Sequence, residues 1–233
     1  KINFWDFSAG LGWFYGFDNN NMVYAGLSLS HLNEPRVSFF EDGYGNTDIL
    51  KYTHQAPFGK GSKTITDLSV RSTKEIDAAQ LTFKNPKWEK ALQKIVTLVK
   101  KELGIENKTV NASLYKLLIY KENDFFLPHK DSEKEKGMFG SLVIGLPAKH
   151  TGGELVIKFD DQIKNINFSE DINVYKIPYA AFYSDCEHEV KKVTSGYRVC
   201  LVYNLIQTDN KSAIKSPSFL KQVNELAKIF NKL

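Results

Sequence analysis

Pro128-His129-Lys130-Asp131 is the first place in the chain where residue types and spacing together suggest chemistry. On an extended segment residues two apart point to the same side, so the His129 imidazole and the Asp131 carboxylate can reach one cation together. Imidazole plus carboxylate suits iron, manganese or zinc, and the pair needs a third ligand. His188 offers it, from Asp185-Cys186-Glu187-His188-Glu189-Val190, a polar interruption of an apolar strand region. Two imidazoles and one carboxylate on one face leave three positions of an octahedral ion open, which is how non-haem iron accommodates a chelating co-substrate beside dioxygen. Zinc is more usually tetrahedral with one open position.

Arg198 follows inside the apolar run Tyr197-Arg198-Val199-Cys200-Leu201-Val202-Tyr203. A guanidinium there is costly to bury unless it meets an anion, and a carboxylate matches its planar fork best. The turn Thr194-Ser195-Gly196 is expected to fold the chain back and set Arg198 on the strand beside His188, deeper in the fold.

These side chains need a strand-rich frame. From about Leu114 to Leu205 short apolar runs alternate with turn residues: Tyr115 to Tyr120, Ser141 to Leu146, Glu154 to Phe159, Val174 to Ile177, Ala180 to Tyr183 and Tyr197 to Leu205. Strands at that spacing, with no helices between them, predict an antiparallel barrel or sandwich. Two helices flank it. Asn85 can cap the first and Pro86 begin it, with Trp88, Leu92, Ile95, Val99 and Leu103 at helical spacing until Lys100, Lys101 and Gly104 end it. The second starts at Ser216-Pro217 and carries Phe219, Leu220, Val223, Leu226, Ala227 and Phe230 on one face. Residues 1–84 are read as an N-terminal extension of strands packed on the barrel, with turns around Gly10 to Asn21 and Gly43 to Asn46, a short helix near Asp48 to His54 and a loop at Pro57 to Gly61. The core is 85–233, with helices over 86–103 and 217–231 around strands at 114–206, and the whole is taken as one structural unit.

The motifs resemble those of the 2-oxoglutarate and iron(II)-dependent dioxygenases, and within them the prolyl-4-hydroxylase-like branch. The resemblance covers about residues 114–206. It rests on Tyr120 nine residues before His129, on His129-x-Asp131, on Gly152-Gly153-Glu154-Leu155, and on His188-Glu189-Val190-x-x-Val193-Thr194-x-Gly196-x-Arg198. It implies a mainly β fold with flanking helices, a double-stranded β-helix (jelly-roll, cupin-like) barrel with the metal at its open end. It also implies iron(II) on His129, Asp131 and His188, and 2-oxoglutarate and dioxygen as co-substrates. Arg198 would pair with the distal carboxylate of 2-oxoglutarate, with Tyr120 donating a hydrogen bond nearby. The implied activity is hydroxylation of a substrate C–H bond, with 2-oxoglutarate decarboxylated to succinate, on a protein or peptide side chain. Oxidation of a small molecule, or a barrel that binds metal or ligand without turnover, are the alternatives. Many prolyl hydroxylases carry Lys where Arg198 stands, so the resemblance supports 2-oxoglutarate more firmly than it supports proline.

Composition narrows the partners. Hydrophobic residues make up 42% and aromatics 13% of 233 residues, a balance that supports a packed core. Thirty-one basic and twenty-seven acidic residues give a net charge of +4 without a long basic run, which permits nucleic acid as a partner and does not indicate it. No stretch approaches the ~20 apolar residues of a membrane-spanning helix, and Lys1 to Trp5 show no signal-peptide pattern. The two cysteines, Cys186 and Cys200, form no framework or Cys-x-x-Cys pair, so the expected compartment is reducing and the expected location cytoplasmic. Other candidates have plainer readings. His31, His54 and His150 have no partner at ligand spacing. Gly59-Lys60-Gly61-Ser62 lacks the arrangement of a phosphate loop and reads as a turn. Cys186 shares strand parity with His188 and reads as core filler. Asp67 and Arg71 could reach the mouth of the barrel, although a surface ion pair is the favoured reading.

Overall fold

The computed structural model describes residues 24–26, 47–60, 63–83, 85–160, 162–169 and 177–217. Before the helix lie β1 (Tyr24–Gly26), β2 (His54–Gln55), β3 (Phe58–Lys60), β4 (Lys63–Ile65) and β5 (Lys74–Asp77). The helix α1 (Trp88–Glu102) leads into β6 (Val110–Tyr120), β7 (Phe126–His129), β8 (Met138–Gly145), β9 (His150–Gly152) and β10 (Leu155–Phe159). The chain continues through β11 (Gln162–Ile166), β12 (Tyr179–Tyr183), β13 (Glu187–Val190), β14 (Val193–Gly196) and β15 (Arg198–Gln207).

These strands form a seven-stranded sheet in the order β1-β12-β8-β15-β6-β5-β2 and a four-stranded sheet in the order β11-β10-β13-β7. Every pairing is antiparallel. The two sheets share one apolar core, in which Leu118, Ile144 and Leu201 of the larger sheet join Leu155, Ile157 and Val190 of the smaller. The predicted jelly-roll class is the observed one: mostly β, with strands from distant parts of the chain adjacent in each sheet.

Period-two alternation divides the labour of the central strands. Along β15, Arg198, Cys200, Val202 and Asn204 face a cavity between the sheets, while Tyr203, with the opposite parity, turns to α1 and its hydroxyl accepts a hydrogen bond from Trp88 Nε1 at 3.0 Å. The helix buries Leu92, Ile95, Val96 and Val99, each contributing about 1.5–3 kcal/mol as an upper bound from area removed from water. Tyr183 Oη donates to the Leu103 carbonyl at the helix end, at 3.3 Å. The helix begins two residues later than expected. Asn85 Oδ1 accepts from Lys87 N at 2.9 Å, so it caps the turn before the helix, whose own N-cap position is Lys87.

The six-residue 3-10 helix Thr47–Tyr52 stands where a short helix was expected. Phe58–Lys60 and Lys63–Ile65 form a hairpin, so the turn reading of Gly59 to Ser62 becomes a two-stranded unit around that turn. All but Pro217 of the expected helix at 217–231, all but Ile177 of the expected strand at Val174 to Ile177, His31 and the turns at Gly10 to Asn21 and Gly43 to Asn46 lie outside the described residues. Among the described residues no helix is long and apolar enough to cross a membrane.

Candidate active site

The pairing of β7 with β13 sets His129 directly opposite His188. Their ring centroids lie 4.2 Å apart. Asp131 follows just beyond the end of β7, and its Oδ1 lies 3.8 Å from His188 Nε2. The ligand atoms of all three residues fall within 4.8 Å of one another. An ion sitting about 2.1 Å from each ligand spans atoms up to about 4.2 Å apart, so the Asp131–His188 gap suits a shared cation.

One local device aims both imidazoles. His129 Nδ1 lies 2.8 Å from the Leu127 carbonyl and His188 Nδ1 lies 3.2 Å from the Cys186 carbonyl. Donation from each Nδ1–H to the carbonyl two residues earlier leaves Nε2 as the lone-pair atom facing the shared centre. Phe126 stacks on the His129 ring at 3.5 Å, and Phe182 lies against His188 at 4.6 Å. Ser141 Oγ donates to Asp131 Oδ2 at 2.5 Å, fixing the carboxylate from the larger sheet. Burial, then the neighbouring His188, hold the His129 imidazole at about 3. It is therefore neutral at pH 7, the state in which it can ligate a metal.

Arg198 reaches the same cavity from the other sheet. The turn at Thr194 to Gly196 does not return the chain beside His188, as the sequence suggested. Val193–Gly196 pairs instead with β9, Tyr197 N donates to the Lys149 carbonyl, and the chain crosses to the larger sheet, where β15 lies between β6 and β8. Arg198 is opposite Tyr120 in that pairing. Its side chain is 1% exposed, with Nη1 donating to Cys200 Sγ at 3.4 Å and Nε lacking a partner among the described residues. The guanidinium carbon lies 5.1 Å from the Tyr120 ring centre and 5.2 Å from that of Phe168. Burial raises the Tyr120 phenol above its ordinary value, so it stays protonated and able to donate. Gly152 and Gly153 have φ near +70°, and a Cβ on Gly153 would meet Arg198 Cδ at 2.9 Å. The glycine pair therefore lets the backbone pass against the guanidinium stem.

The cavity, about 90 Å³, is lined by His129, Asp131, His188, Tyr120, Arg198 and Ser141 among others, so every side chain singled out for metal or co-substrate faces one space. Two residues that sequence reasoning underrated border it as well. Arg71 is not half of a surface ion pair: it is 7% exposed and lines the cavity, because it bridges to Phe126 at the edge of β7. Ser141 was read only as the start of a strand. Its signal was a hydroxyl on the inward parity of an otherwise apolar run.

His54 also departs from expectation. Its strand pairs it with Glu75, and Nε2 lies 3.3 Å from Glu75 Oε1 and 3.8 Å from Asp77 Oδ2. The three form a second group at ligand distance, but Glu75 Oε1 is already engaged by the Lys116 ammonium, which competes with any cation. His150, buried with Nδ1 against the Ala148 carbonyl, repeats the imidazole device, and among the described residues it belongs to no group at ligand distance. Cys186 is buried core, as expected.

A family model for the 2OG-Fe(II) oxygenase superfamily matches residues 115–206. No curated protein matches the chain. Among solved structures, a Pseudomonas putida prolyl-4-hydroxylase is similar at 15% identity and a TM-score of 0.46, over 69% of this chain and 80% of that one. A Trichoplax adhaerens prolyl hydroxylase, in complex with a hypoxia inducible factor oxygen degradation domain peptide fragment, is similar at 14% identity and a TM-score of 0.45, over 69% and 73%. A Burkholderia pseudomallei oxidoreductase of the 2OG-Fe(II) oxygenase family is similar at 18% identity and a TM-score of 0.39, over 71% and 80%. The matched segment begins five residues before Tyr120 and ends beyond Arg198, enclosing His129, Asp131 and His188, and it is over these residues that the chain matches the 2OG-Fe(II) oxygenase superfamily, whose members are dioxygenases using iron(II), 2-oxoglutarate and dioxygen.

Proposed function

We propose that His129, Asp131 and His188 hold iron(II), that Arg198 with Tyr120 holds the distal carboxylate of 2-oxoglutarate, and that the enzyme hydroxylates a C–H bond on a protein or peptide side chain. The observation that carries the reading is Arg198. A guanidinium at 1% exposure, with Nε unpartnered and no carboxylate against it among the described residues, sits in the cavity of the three ligands. An uncompensated buried charge costs several kcal/mol, and a carboxylate of the co-substrate held against the guanidinium would offset that cost. The prolyl-4-hydroxylase-like motif set supports a peptide as substrate.

Iron(II) held there, with 2-oxoglutarate and dioxygen, would supply the oxidation, converting 2-oxoglutarate to succinate and carbon dioxide and hydroxylating the substrate carbon. The chain's own residues bind, orient and shield. Neutral His129 presents Nε2, the Nδ1 contact with the Cys186 carbonyl turns His188 Nε2 the same way, and Ser141 keeps one Asp131 oxygen occupied so that the other is turned to the metal. Tyr120, protonated, donates to the carboxylate that Arg198 attracts. Phe126 and Phe182 wall the imidazoles and exclude water from that side.

Succinate release from 2-oxoglutarate, followed with iron(II) and with a peptide library, tests the reading. Turnover that requires both, and that rises with a peptide that gains one oxygen atom in mass, is the expected result. Iron-independent turnover, or unchanged turnover in His129→Ala and Asp131→Ala, would overturn it.

A further inference from the structure

Among the described residues, the cavity holds one more buried cation than the proposed metal and co-substrate neutralise. Asp131 belongs with the metal, and Arg198 with the distal carboxylate of 2-oxoglutarate. That leaves Arg71 and Lys116, 7% and 8% exposed, both lining the cavity, with one carboxylate between them. Glu75 gives Oε1 to the Lys116 ammonium, while its Oε2 has no hydrogen-bond partner among the described residues and lies 3.8 Å from Arg71 Nη2, too far for a hydrogen bond. Of the five N–H donors of Arg71, only Nη1 is engaged among the described residues, by the Pro57 carbonyl at 2.6 Å, and Nε is buried with no partner among them. Lys134, also at the cavity, is exposed and donates to Ser132 Oγ.

Position gives the surplus charge a use. The Arg71 guanidinium carbon lies 4.5 Å from the centre of the Phe126 ring, and that ring stacks on His129. The cation is thus one aromatic ring from a proposed metal ligand. It comes from the segment before α1, outside residues 115–206, so it is an addition by the rest of this chain to the matched barrel. A planar fork with free donors suits a carboxylate, and a site with unpaired buried donors discriminates strongly against a ligand that lacks the matching group.

We infer that Arg71, supported by Lys116, is a specificity-determining residue that binds a carboxylate of the substrate, so that the carbon hydroxylated belongs to a carboxylate-bearing molecule. The inference rests on the function proposed above and adds the substrate's charge. The carboxylate comes either from a peptide or from a free acid.

The test uses the whole chain loaded with Mn(II), as an unreactive stand-in for iron(II), and saturating 2-oxoglutarate, so that Arg198 is already occupied. Melting temperature is followed with two probe sets: free L-amino acids against their primary amides, and peptides with a central Glu or Asp against their Gln or Asn counterparts. A member of one set is expected to raise the melting temperature as the acid and not as the amide, and the set in which this occurs names the source. Arg71→Gln is expected to weaken that binding about tenfold or more, and Glu75→Gln, which removes the competing carboxylate, to strengthen it. A merely structural role for Arg71 predicts no gain in the second variant. Acids and amides acting alike in both sets, or Arg71→Gln retaining the discrimination, overturns the inference alone. If Mn(II) and 2-oxoglutarate do not themselves raise the melting temperature, the proposed function fails and takes this inference with it.

Discussion

Replacing Gly153 with Ala probes the link between backbone and co-substrate, and Gly152 supplies its control. Both glycines have φ near +70°, where an L side chain costs about 1–2 kcal/mol. At Gly153 the new methyl would also lie 2.9 Å from Arg198 Cδ and from Val193 Cγ2, so the total loss is about 2–3 kcal/mol. For a chain of this size that lowers the melting temperature by about 4–12 °C. The Arg198 stem must also move. Charge-assisted bonds to a carboxylate are worth about 1.5–3 kcal/mol, so their weakening raises the dissociation constant of 2-oxoglutarate by about tenfold to a hundredfold. At Gly152 the added methyl meets backbone, Lys192 O at 2.6 Å and Thr194 N at 3.0 Å, and Arg198 is not among its three nearest contacts. Gly152→Ala should destabilise comparably and leave co-substrate binding intact. Calorimetric titration of 2-oxoglutarate into the Mn(II)-loaded proteins, with a thermal scan of each, reads both quantities. Equal affinities in the natural chain and Gly153→Ala, or equal losses in the two variants, would refute the reasoning that Gly153 seats Arg198 for the co-substrate.

Other consequences are checked more simply. His129→Ala, Asp131→Ala and His188→Ala should each abolish 2-oxoglutarate-dependent succinate formation, whereas Arg198→Ala should chiefly raise the 2-oxoglutarate concentration required, as steady-state assays with varied co-substrate would show. Ser141→Ala removes the donor to Asp131 Oδ2 and should weaken metal binding about 10- to 100-fold, measured by competition with a chelator. Acid should destabilise the metal-free protein. His129 is held at about 3 and burial also lowers His150, against about 6.5 in the unfolded chain. The unfolded state therefore takes up more protons as pH falls, and the melting temperature should drop between about pH 6.5 and 3 while these groups contribute little change above it. His129→Gln should flatten part of that drop.

The chemistry was more legible in the sequence than the scaffold that aims it. His129 and Asp131 needed only strand parity, and the His188 motif lay on a short polar stretch between apolar runs. Arg198 was identified by its residue type in an apolar strand and misplaced by topology: nothing local in Thr194-Ser195-Gly196 says whether a turn returns to the same sheet or crosses to the other. The same blindness hid Arg71. Flanked by Val70 and the small polar Ser72 and Thr73, it reads as an exposed residue, and only its bridge to Phe126, more than fifty residues away, buries it. Glu75 is comparable: its alternation within Lys74–Asp77 is that of a solvent-facing acid until Lys116 meets it from β6. Interior strands such as β8 and β12, buried along their whole length, announce themselves by apolar runs. β13, the polar strand that carries His188, gives no such signal.

The stretch before α1 has a consequence for how the molecule can be cut. Ser72 N donates to the Phe125 carbonyl and Leu127 N to the Val70 carbonyl, sealing the outer rim of β7, while Lys74–Asp77 covers one flank of β6. A fragment starting at residue 85 would present both rims as raw hydrogen-bonding ladders, one of them on an eleven-residue strand. Such rims recruit other strands, so the excised barrel should self-associate rather than remain a monomer, and any minimal version of this enzyme has to begin ahead of Arg71.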